Sequence, residues 1–364
     1  MLNSGKLKEV KNLLLVKLRG IGDAVLLTPS IKAVKEGFPD SSVTVITSPA
    51  GALILKGNPY IDEILVYDRD KPGNLIDQLK FLNGIRKKEI YLAINFHASF
   101  RSALFVYLSG AKFRIIHNHS GKNYFSNIDI TAKKEQKSII ERDFDCLRTA
   151  GISPVNKKTE IYLTEEEKES GRKYLQNLLG TVPLFSQNMG LSPNGDCPNF
   201  VVGINPGANR PTKRWEEEKY AELADMIIEN HKNQIVVFSG PGEEFIGEKI
   251  LKLMKNRAYL IKNLNLREVA GIINHCSLFI GNDNGLFHMA VALGIPTITV
   301  FGPENPVEWH PYDHLPEGKH IIVSKKLICM NCGKLYCETN ECIKSITVLE
   351  VFDFIEKWRQ SPFF

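Results

Sequence analysis

The sequence predicts an α/β protein with two doubly wound domains that face a cleft. Short apolar runs typical of strands alternate with amphipathic stretches typical of helices along most of the chain, as in parallel sheets built from βαβ units. The alternation lapses once, near the middle, and then starts again. At about 150 residues per domain, a chain of 364 residues also favours two domains over one.

The first series of elements predicts a domain over residues 1–185. It opens with a strand, NLLLVKL, which leads through a Gly-Ile-Gly-Asp turn at residues 20–23 into a helix that stops at Gly37-Phe38-Pro39. Helical stretches such as NLIDQLKFLNGIRKK separate the strands that follow, which read SVTVITS, EILVYD and YLAINFH.

A linker and a second series complete the chain. Residues 180–198 are rich in Gly, Pro and Asn, which is typical of a linker. The second domain is predicted over residues 196–345, with strands in FVVGINPG, QIVVFSG, AYLIK, SLFIGN and PTITVFG. Ligands of open parallel sheets bind beyond the carboxyl ends of the strands. We therefore expect the functional residues in the turns that follow these strands.

Composition and charge exclude several classes of protein. Hydrophobic residues are 43% of the chain and charged residues 24%, which excludes disordered and collagen-like proteins. The net charge of +5 is small for a dedicated nucleic-acid-binding protein. Near the N-terminus only Leu13–Val16 is continuously apolar, which is too short for a signal peptide or a membrane span. Four of the seven cysteines lie within residues 329–342, unlike a secreted disulfide framework. We therefore predict a cytoplasmic protein.

The turn after the first strand holds a candidate catalytic carboxylate. Gly20 and Gly22 allow a ligand to approach the backbone, and Asp23 stands at the start of the helix. Asp is a favoured N-cap residue, so Asp23 is either a helix cap or a general base. Two glycines alone do not make a dinucleotide-binding fingerprint.

Two turns of the second domain suit a phosphorylated ligand. In NPGANRPTKRW, Lys213 and Arg214 lie at a strand-to-helix turn, where cations and free backbone N–H groups bind phosphate. The alternative is a solvated helix flank. In FSGPGEE, Glu243 or Glu244 suits the hydroxyl or amino groups of a nucleoside, unless both only cover the positive end of a helix.

The segment GNDNGLFHMAVALG provides a third candidate. Asp283, Asn284 and Gly285 lie at the mouth of an apolar helix, whose first N–H groups form an anion site. His288 lies on the same first turn, where it is either a ligand contact or a buried core histidine.

The order of these motifs resembles glycosyltransferase family 9, the ADP-heptose:lipopolysaccharide heptosyltransferases. The resemblance runs over nearly the whole chain, and its most specific part is the Asp-x-Gly-x-x-His element followed by Gly-x-Pro and Phe-Gly-Pro. It implies the GT-B fold, with two Rossmann-like domains of which the first binds the acceptor and the second the nucleotide sugar. It also implies inverting transfer of a heptose from ADP-heptose to a lipopolysaccharide core hydroxyl without a catalytic cofactor. The C-terminal residues 346–364 are expected to form a helix that crosses back to the first domain.

The resemblance assigns roles to individual residues. Asp23 corresponds to the catalytic base, and Gly22, His97 and Arg101 suit acceptor contacts. Asn95 stands where relatives often have Asp, and Asn284 where many have Ser or Thr, so these two positions depart from the family pattern. The implied contacts with the donor's nucleoside, diphosphate and sugar come from Lys213, Glu243, Asp283, Asn284, Gly285 and His288.

The cysteine-rich segment and the membrane are further expectations. Residues 329–342, here called the Cys window, read C-x2-C-x4-C-x4-C, which suits either a structural Zn²⁺ or iron site or reduced or paired thiols. Its ligands would be Cys329, Cys332, Cys337 and Cys342. Related Cys-rich stretches lie away from the chemistry. Peripheral contact with the inner membrane is implied by the family alone.

Two other functions compete with heptose transfer. A GT-B glycosyltransferase using another nucleotide sugar or a protein acceptor is compatible with the same motifs. A metal-dependent nucleic-acid-binding protein would explain the Cys window, although the basic residues are not gathered around it and no recognition helix lies between its thiols. A further possibility is a non-catalytic nucleotide sensor, which only turnover excludes.

Overall fold

The chain forms two compact units that divide between Tyr162 and Leu163. The computed structural model describes residues 10–97, 99–117, 124–130, 135–180, 200–312, 315–316, 318–329 and 331–360. Each unit is an α/β layer structure with its own parallel sheet. The predicted linker lies almost entirely outside the described residues.

The described strands of the first unit form a five-stranded parallel sheet in the order β3-β2-β1-β4-β5. The central strand pairs in register on both sides, with Leu15 opposite Val45 on one neighbour and opposite Ile94 on the other. Its apolar side chains are buried on both faces, as expected of a strand covered by helices on both sides. In chain order the elements are β1 (Asn12–Lys17), α1 (Ile21–Gly37), β2 (Ser42–Thr47), α2 (Pro49–Leu55), β3 (Glu63–Val66), α3 (Leu75–Arg86), β4 (Leu92–Asn95), α4 (Phe100–Leu108), β5 (Phe113–Ile116) and α5 (Ile139–Thr149).

The second unit contains a parallel sheet whose described strands run in the order β11-β10-β9-β6-β7-β8. Its main core gathers buried side chains from the sheet and from the helices on one face, with Trp215 and Tyr220 among the largest. In chain order the elements are α6 (Glu165–Leu179), β6 (Val201–Asn205), a 3₁₀ turn (Pro211–Lys213), α7 (Glu217–His231), β7 (Gln234–Phe238), α8 (Glu244–Leu253), β8 (Tyr259–Ile261), α9 (Leu266–Ile273), β9 (Leu278–Asn282), α10 (Gly285–Ala292), β10 (Thr297–Val300), α11 (Pro306–Trp309), β11 (His320–Val323), α12 (Glu341–Lys344) and α13 (Val348–Arg359).

The strand orders locate a topological switch point in each unit. In the first unit the order reverses between β1 and β4, and in the second between β6 and β9. Crevices open beyond the carboxyl ends of strands at such points. Each unit therefore has its own candidate site, in the turns after the two strands at its switch point.

The first unit ends earlier than the sequence suggests. Residues 163–180 were expected in the first domain, but α6 packs against α9 in the second unit. A Cβ added to Gly171 would lie 2.2 Å from the carbonyl of Gly271, so the two helix backbones are in direct contact. Arg267 donates to the Glu167 carboxylate at 2.9 Å, and Leu175 is fully buried in the same interface region.

The C-terminal helix also belongs to the second unit. The sequence analysis expected it to cross back to the first domain, and that expectation is wrong for α13. Val351, Ile355 and Trp358 are buried in the main core of the second unit, where α13 packs against α7 and β10. The apolar face of α13 is thus covered by its own unit.

Candidate active site

The turn after β1 presents the Asp23 carboxylate without using it as a helix cap. The N-cap residue of α1 is Gly20, which has no side chain to cap the helix, and Asp23 lies within the first helical turn. Asp23 is half-buried. A negative charge there is favoured by the helix dipole. The cap hypothesis is therefore wrong, and the carboxylate sits beside Gly22 at the open end of the sheet.

A buried ion pair that the sequence analysis missed lies near this turn. The Lys17 ammonium donates to both carboxylate oxygens of Asp143 on α5, at 2.8 and 3.2 Å. The two side chains are 3% and 2% exposed. Burial raises the pKa of Asp143 to about 6, Lys17 opposes that rise, and the charge of Asp23 adds to it.

Asn95 organises the turn after β4. Its fully buried side chain accepts a hydrogen bond from the His97 backbone at 2.9 Å and donates to the Ser102 hydroxyl at 3.0 Å. His97 is buried, whereas Arg101 is exposed and donates to the Arg69 carbonyl at 3.3 Å. The amide at the position where relatives often carry Asp therefore fastens this turn to α4.

In the second unit, the turns after β6 and β9 meet through Lys213 and Asp283. The Lys213 ammonium lies 2.5 Å from the Asp283 carboxylate, and both side chains are largely buried. Burial raises the pKa of Asp283, and Lys213 and then Arg210 oppose the rise. The structure thus joins two residues that the sequence analysis placed in separate motifs.

Arg214 and Glu243 pair with each other beside the turn that follows β6. The Arg214 guanidinium donates to the Ala208 carbonyl at 2.7 Å and to the Glu243 carboxylate at 2.6 Å. A Cβ added to Gly207 would lie 2.3 Å from the same carboxylate, so Glu243 packs over the glycine turn. Arg214 therefore stabilises the turn. Of these two cations, only Lys213 contacts the neighbouring motif, at Asp283.

Asn284 caps α10. Its side-chain oxygen accepts from the Phe287 backbone at 3.1 Å, and its amide group donates to the Gly207 carbonyl at 2.7 Å and to the Asn205 side chain. Both ends of the amide are thus used within the protein. The helix begins at Gly285, whose backbone stands at the positive end of the helix dipole.

His288 is a neutral, buried imidazole. Burial, and to a smaller extent the charges of His310 and Lys213, lower its pKa to about 3. Its Nδ1 lies 2.7 Å from the Tyr312 hydroxyl, and its Nε2 is 3.9 Å from Asp283. It therefore extends the Lys213–Asp283 pair as a polar network reaching Tyr312.

Asn282 is a further organising residue that the sequence analysis missed. Its oxygen accepts from the Trp215 backbone at 3.1 Å and from the Tyr220 hydroxyl at 2.9 Å, and its amide group donates to the Pro206 carbonyl at 2.7 Å. The sequence contained one signal for this role, because Asn282 is a polar residue at the end of an otherwise apolar strand.

The Cys window lies against the turn that follows β6. Arg210 donates to the Gly333 carbonyl at 2.9 Å, and the Thr212 hydroxyl donates to the Lys334 carbonyl at 2.9 Å. Burial raises the pKa of the Cys342 thiol, and the other three sulfurs raise it further. Within the part of the chain that the structure describes, no three or more His, Cys, Asp or Glu residues are grouped to hold a metal ion, so the expected metal site is not supported.

The described helices include none that is long and apolar enough to cross a membrane.

Comparison with known proteins gives one consistent match. The model of the family described as Glycosyltransferase family 9 (heptosyltransferase) matches residues 78–342. Lipooligosaccharide heptosyltransferase 2 of Campylobacter jejuni is 24% identical over 345 residues, which cover 93% of this chain and 96% of that relative. Among solved structures, a glycosyltransferase family 9 protein of Veillonella parvula has a TM-score of 0.77 at 20% identity, covering 96% of this chain and 97% of that one. The Escherichia coli ADP-heptose LPS heptosyltransferase II has a TM-score of 0.74 at 21% identity, covering 96% and 98%.

Proposed function

The chain belongs to glycosyltransferase family 9, the heptosyltransferases, and we propose that it moves a heptose from ADP-heptose to a hydroxyl of a lipopolysaccharide core or related acceptor. It is a glycosyltransferase with the GT-B fold, as the sequence predicted. The proposal concerns the donor, the acceptor and the residues that carry out the transfer.

One observation carries the donor assignment. At the switch point of the second unit, the buried Lys213 ammonium and the N-terminus of α10 converge on Asp283. A cation and a helix N-terminus together bind a diphosphate well, because both neutralise its charge. The heptosyltransferase II that shares this fold has ADP-heptose in its name, which is the donor we propose here.

Asp23 is the proposed general base of the reaction. It removes the proton from the acceptor hydroxyl as that oxygen attacks the anomeric carbon, and the bond from this carbon to the diphosphate oxygen breaks. Lys213 and the first turn of α10 stabilise the negative charge that the departing ADP gains. The result is inversion in a single displacement, with the proton ending on Asp23.

The remaining sequence-predicted residues have narrower proposed roles. Gly22 leaves room for the acceptor beside Asp23, and His97 and Arg101 follow β4 on the other side of the switch point. On the donor side, Glu243 holds Arg214 and presents its remaining surface to the nucleoside. Asn284 and Gly285 shape the start of α10, and His288 supports Asp283.

The exposed face of α3 supports contact with a membrane that holds a lipid-anchored acceptor. Leu75, Ile76 and Leu79 are 71%, 62% and 56% exposed, and the cations Lys80 and Arg86 are exposed on the same helix. An apolar face with flanking cations suits an anionic lipid surface. We expect the protein to co-sediment with phosphatidylglycerol vesicles and not with phosphatidylcholine vesicles.

The vesicle experiment has a matched control. Changing Leu75, Ile76 and Leu79 to Ser should abolish co-sedimentation, whereas Leu349→Ser, at an exposed leucine of α13, should leave it unchanged. Equal binding of the triple variant and the original protein would refute the membrane contact.

Acceptor-dependent release of ADP tests the proposed function. The protein is incubated with ADP-heptose and a core-type acceptor, with omission of the acceptor as the control. ADP-glucose, again followed by release of ADP, and UDP-glucose, followed by release of UDP, test the competing donors, and a protein acceptor tests the competing acceptor class. Release of ADP only with ADP-heptose and the core acceptor would confirm the proposal, and turnover with another pair would replace it.

A further inference from the structure

A buried pair of opposite charges lies between the first strand and α5, close to the proposed base. Lys17 is the last residue of β1, and the same chain segment reaches Asp23 six residues later. Asp143 belongs to α5, which packs against α1, the helix that carries Asp23. Both members of the pair are almost completely buried. Three charges from three elements are thus gathered at one end of the sheet.

Burying an ion pair stabilises a protein little compared with filling the same volume with apolar side chains. The free energy needed to remove two charges from water often exceeds the free energy gained from their attraction. A protein with well-packed apolar side chains of similar size in their place is frequently as stable. Leaving one partner alone is worse, because an unpaired buried charge remains. This energetic cost favours a role for the pair beyond filling the core.

The charges around Asp143 show what the pair does locally. Lys17 approaches from β1 with both of its short contacts on Asp143, Asp23 faces it from α1, and Arg142 is its neighbour on α5. The Cys146 thiol also faces Asp143. Burial is the largest of the effects that raise the pKa of this thiol well above its ordinary value. On β5, which also packs on α5, the Arg114 guanidinium is occupied by the carbonyls of Phe125 and Ala111. Lys17 is therefore the cation that Asp143 neutralises.

We propose that Asp143 is a positioning residue that holds the Lys17 ammonium away from Asp23, so that the Asp23 carboxylate remains available to accept the proton of the acceptor hydroxyl. This inference rests on the proposed role of Asp23 as the base. Without Asp143, the buried ammonium loses both of its short contacts, and Asp23 on α1 is a carboxylate whose charge acts at the same place, so we expect the ammonium then to pair with Asp23. A carboxylate paired with a cation is a weaker base, since an opposite charge within about 4–6 Å lowers its pKa by about 1–3 units.

The test is a double-mutant cycle read by the pH profile of kcat/KM. Asp143→Asn should move the acid limb down by about one pH unit or more and lower kcat by about tenfold. Adding Lys17→Met should return both toward the original values, because the released cation is then gone. A purely structural role also predicts that the double variant regains stability, because the lone buried charge is gone, but it leaves the acid limb unmoved in all three variants.

Several outcomes would overturn the inference. A folded Asp143→Asn variant whose acid limb is unmoved, or a double variant that is not rescued, contradicts it. If circular dichroism shows that Asp143→Asn does not fold, Lys17→Met alone tests the inference. Its acid limb should lie at or above that of the original protein. A lower acid limb refutes the inference. Asp23→Asn is measured in parallel: a fully active Asp23→Asn variant refutes the base itself, which separates that failure from failure of the positioning role.

Discussion

Adjacent residues with the same charge have different environments in this protein. Lys213 and Arg214 were equivalent candidates for phosphate on sequence grounds, since both follow β6 in a glycine-containing turn. The structure directs Lys213 to Asp283 and Arg214 to Glu243. The sequence could not separate them, because the direction of each side chain is set by the extended backbone at Arg214, where the 3₁₀ turn ends.

Removal of Lys213 should weaken donor binding. A hydrogen bond to a charged group is worth about 1.5–3 kcal/mol, so we expect Lys213→Ala to raise the Kd for ADP about 10- to 150-fold in isothermal titration calorimetry. Lys252→Ala, which removes the same charge from an exposed position on α8, is the control and should bind ADP normally. Unchanged ADP binding by Lys213→Ala would show that the diphosphate lies elsewhere.

Replacement of the proposed base should affect catalysis and spare binding. A positioned general base contributes about 10²–10⁴ in rate, so Asp23→Asn should lower kcat by that factor. Because Asp23 belongs to the first unit and the proposed donor residues to the second, the Kd for ADP should stay the same. Steady-state kinetics and calorimetry on one preparation check both statements. Transfer at the normal rate would exclude Asp23 as the base.

Burial of His288 makes the second unit sensitive to acid. Folding lowers its pKa from 6.5 to about 3. Between these two pH values, His288 is therefore protonated in the unfolded chain and neutral in the folded protein. The free energy of unfolding should therefore decrease as the pH falls through this range, by up to about 1.4 kcal/mol per pH unit. Asp143 has the opposite sign, because its raised pKa favours the folded protein as the pH falls from 6 to 3.8.

Urea unfolding of the protein and of His288→Gln isolates this contribution. The glutamine variant should be the less stable one at pH 7.5, since it loses the imidazole's packing, and the gap between the two should narrow by pH 4.5. A gap that stays constant from pH 7.5 to 4.5 would show that His288 does not carry the expected change in protonation.

Several organising residues were beyond the reach of the sequence. Asp23, Lys213, Asp283 and His288 stand in recognisable motifs after strands, and they could be identified as candidates. Asn282 and Asp143 act through partners 62 to 126 residues away along the chain. A single sequence without alignment holds no signal for such distant pairs.

At the scale of secondary structure, the buried strands were predictable, as were the edge strands β3 and β8, whereas the edge strands β5 and β11 were not. The strands β1, β2, β6, β7 and β9 stand out as runs of apolar residues, and all of them are found. The sequence analysis did not single out β5 and β11, which are four-residue strands at the edges of their sheets. An edge strand is covered less, so its composition departs less from that of a loop.

The contact between α6 and α9 depends on two glycines. A Cβ at position 171 would lie 2.2 Å from the Gly271 backbone, so Gly171→Ala forces the helices apart. Overpacking of this kind costs about 1–3 kcal/mol. We expect that loss in urea unfolding of the second unit. The matched control is Gly84→Ala on the exposed face of α3, where the added methyl group meets nothing within 4 Å and should stabilise the protein slightly. Equal stability of both variants would contradict the helix contact.

At the scale of the whole molecule, the order of the elements was predictable and the boundary was not. The Gly- and Pro-rich residues 180–198 are the strongest break in the sequence, yet the units divide at Tyr162, before α6. Amphipathicity shows that α6 has an apolar face but not which sheet covers that face. The same limit explains why α13 was assigned to the wrong unit.

The boundary can be tested with truncated proteins. A fragment of residues 163–364 keeps α6 over the buried side chains of Ile272 and Ile273, whereas a fragment of residues 196–364 exposes them. The longer fragment should unfold cooperatively on heating, and the shorter one should aggregate or melt without a clear transition. Equal cooperativity of the two fragments would place the boundary at the linker after all.

Membership of the family settles which class of protein this is. A metal-dependent nucleic-acid-binding protein was one reading of the Cys window, but the family match covers residues 78–342 and includes the whole window. The window also contacts Arg210 and Thr212 in the proposed donor region. Its position is thus explained as part of a glycosyltransferase.

The Lys213–Asp283 pair has a consequence for which ligands can enter. The Lys213 ammonium is balanced by a carboxylate of the protein itself. An incoming anion gains little from replacing one negative charge with another, so it must bring more charge than Asp283 offers. A diphosphate does so and a sugar carrying a single phosphate diester does not. At the proposed donor site, we therefore expect this pair to discriminate against ligands that carry a single negative charge.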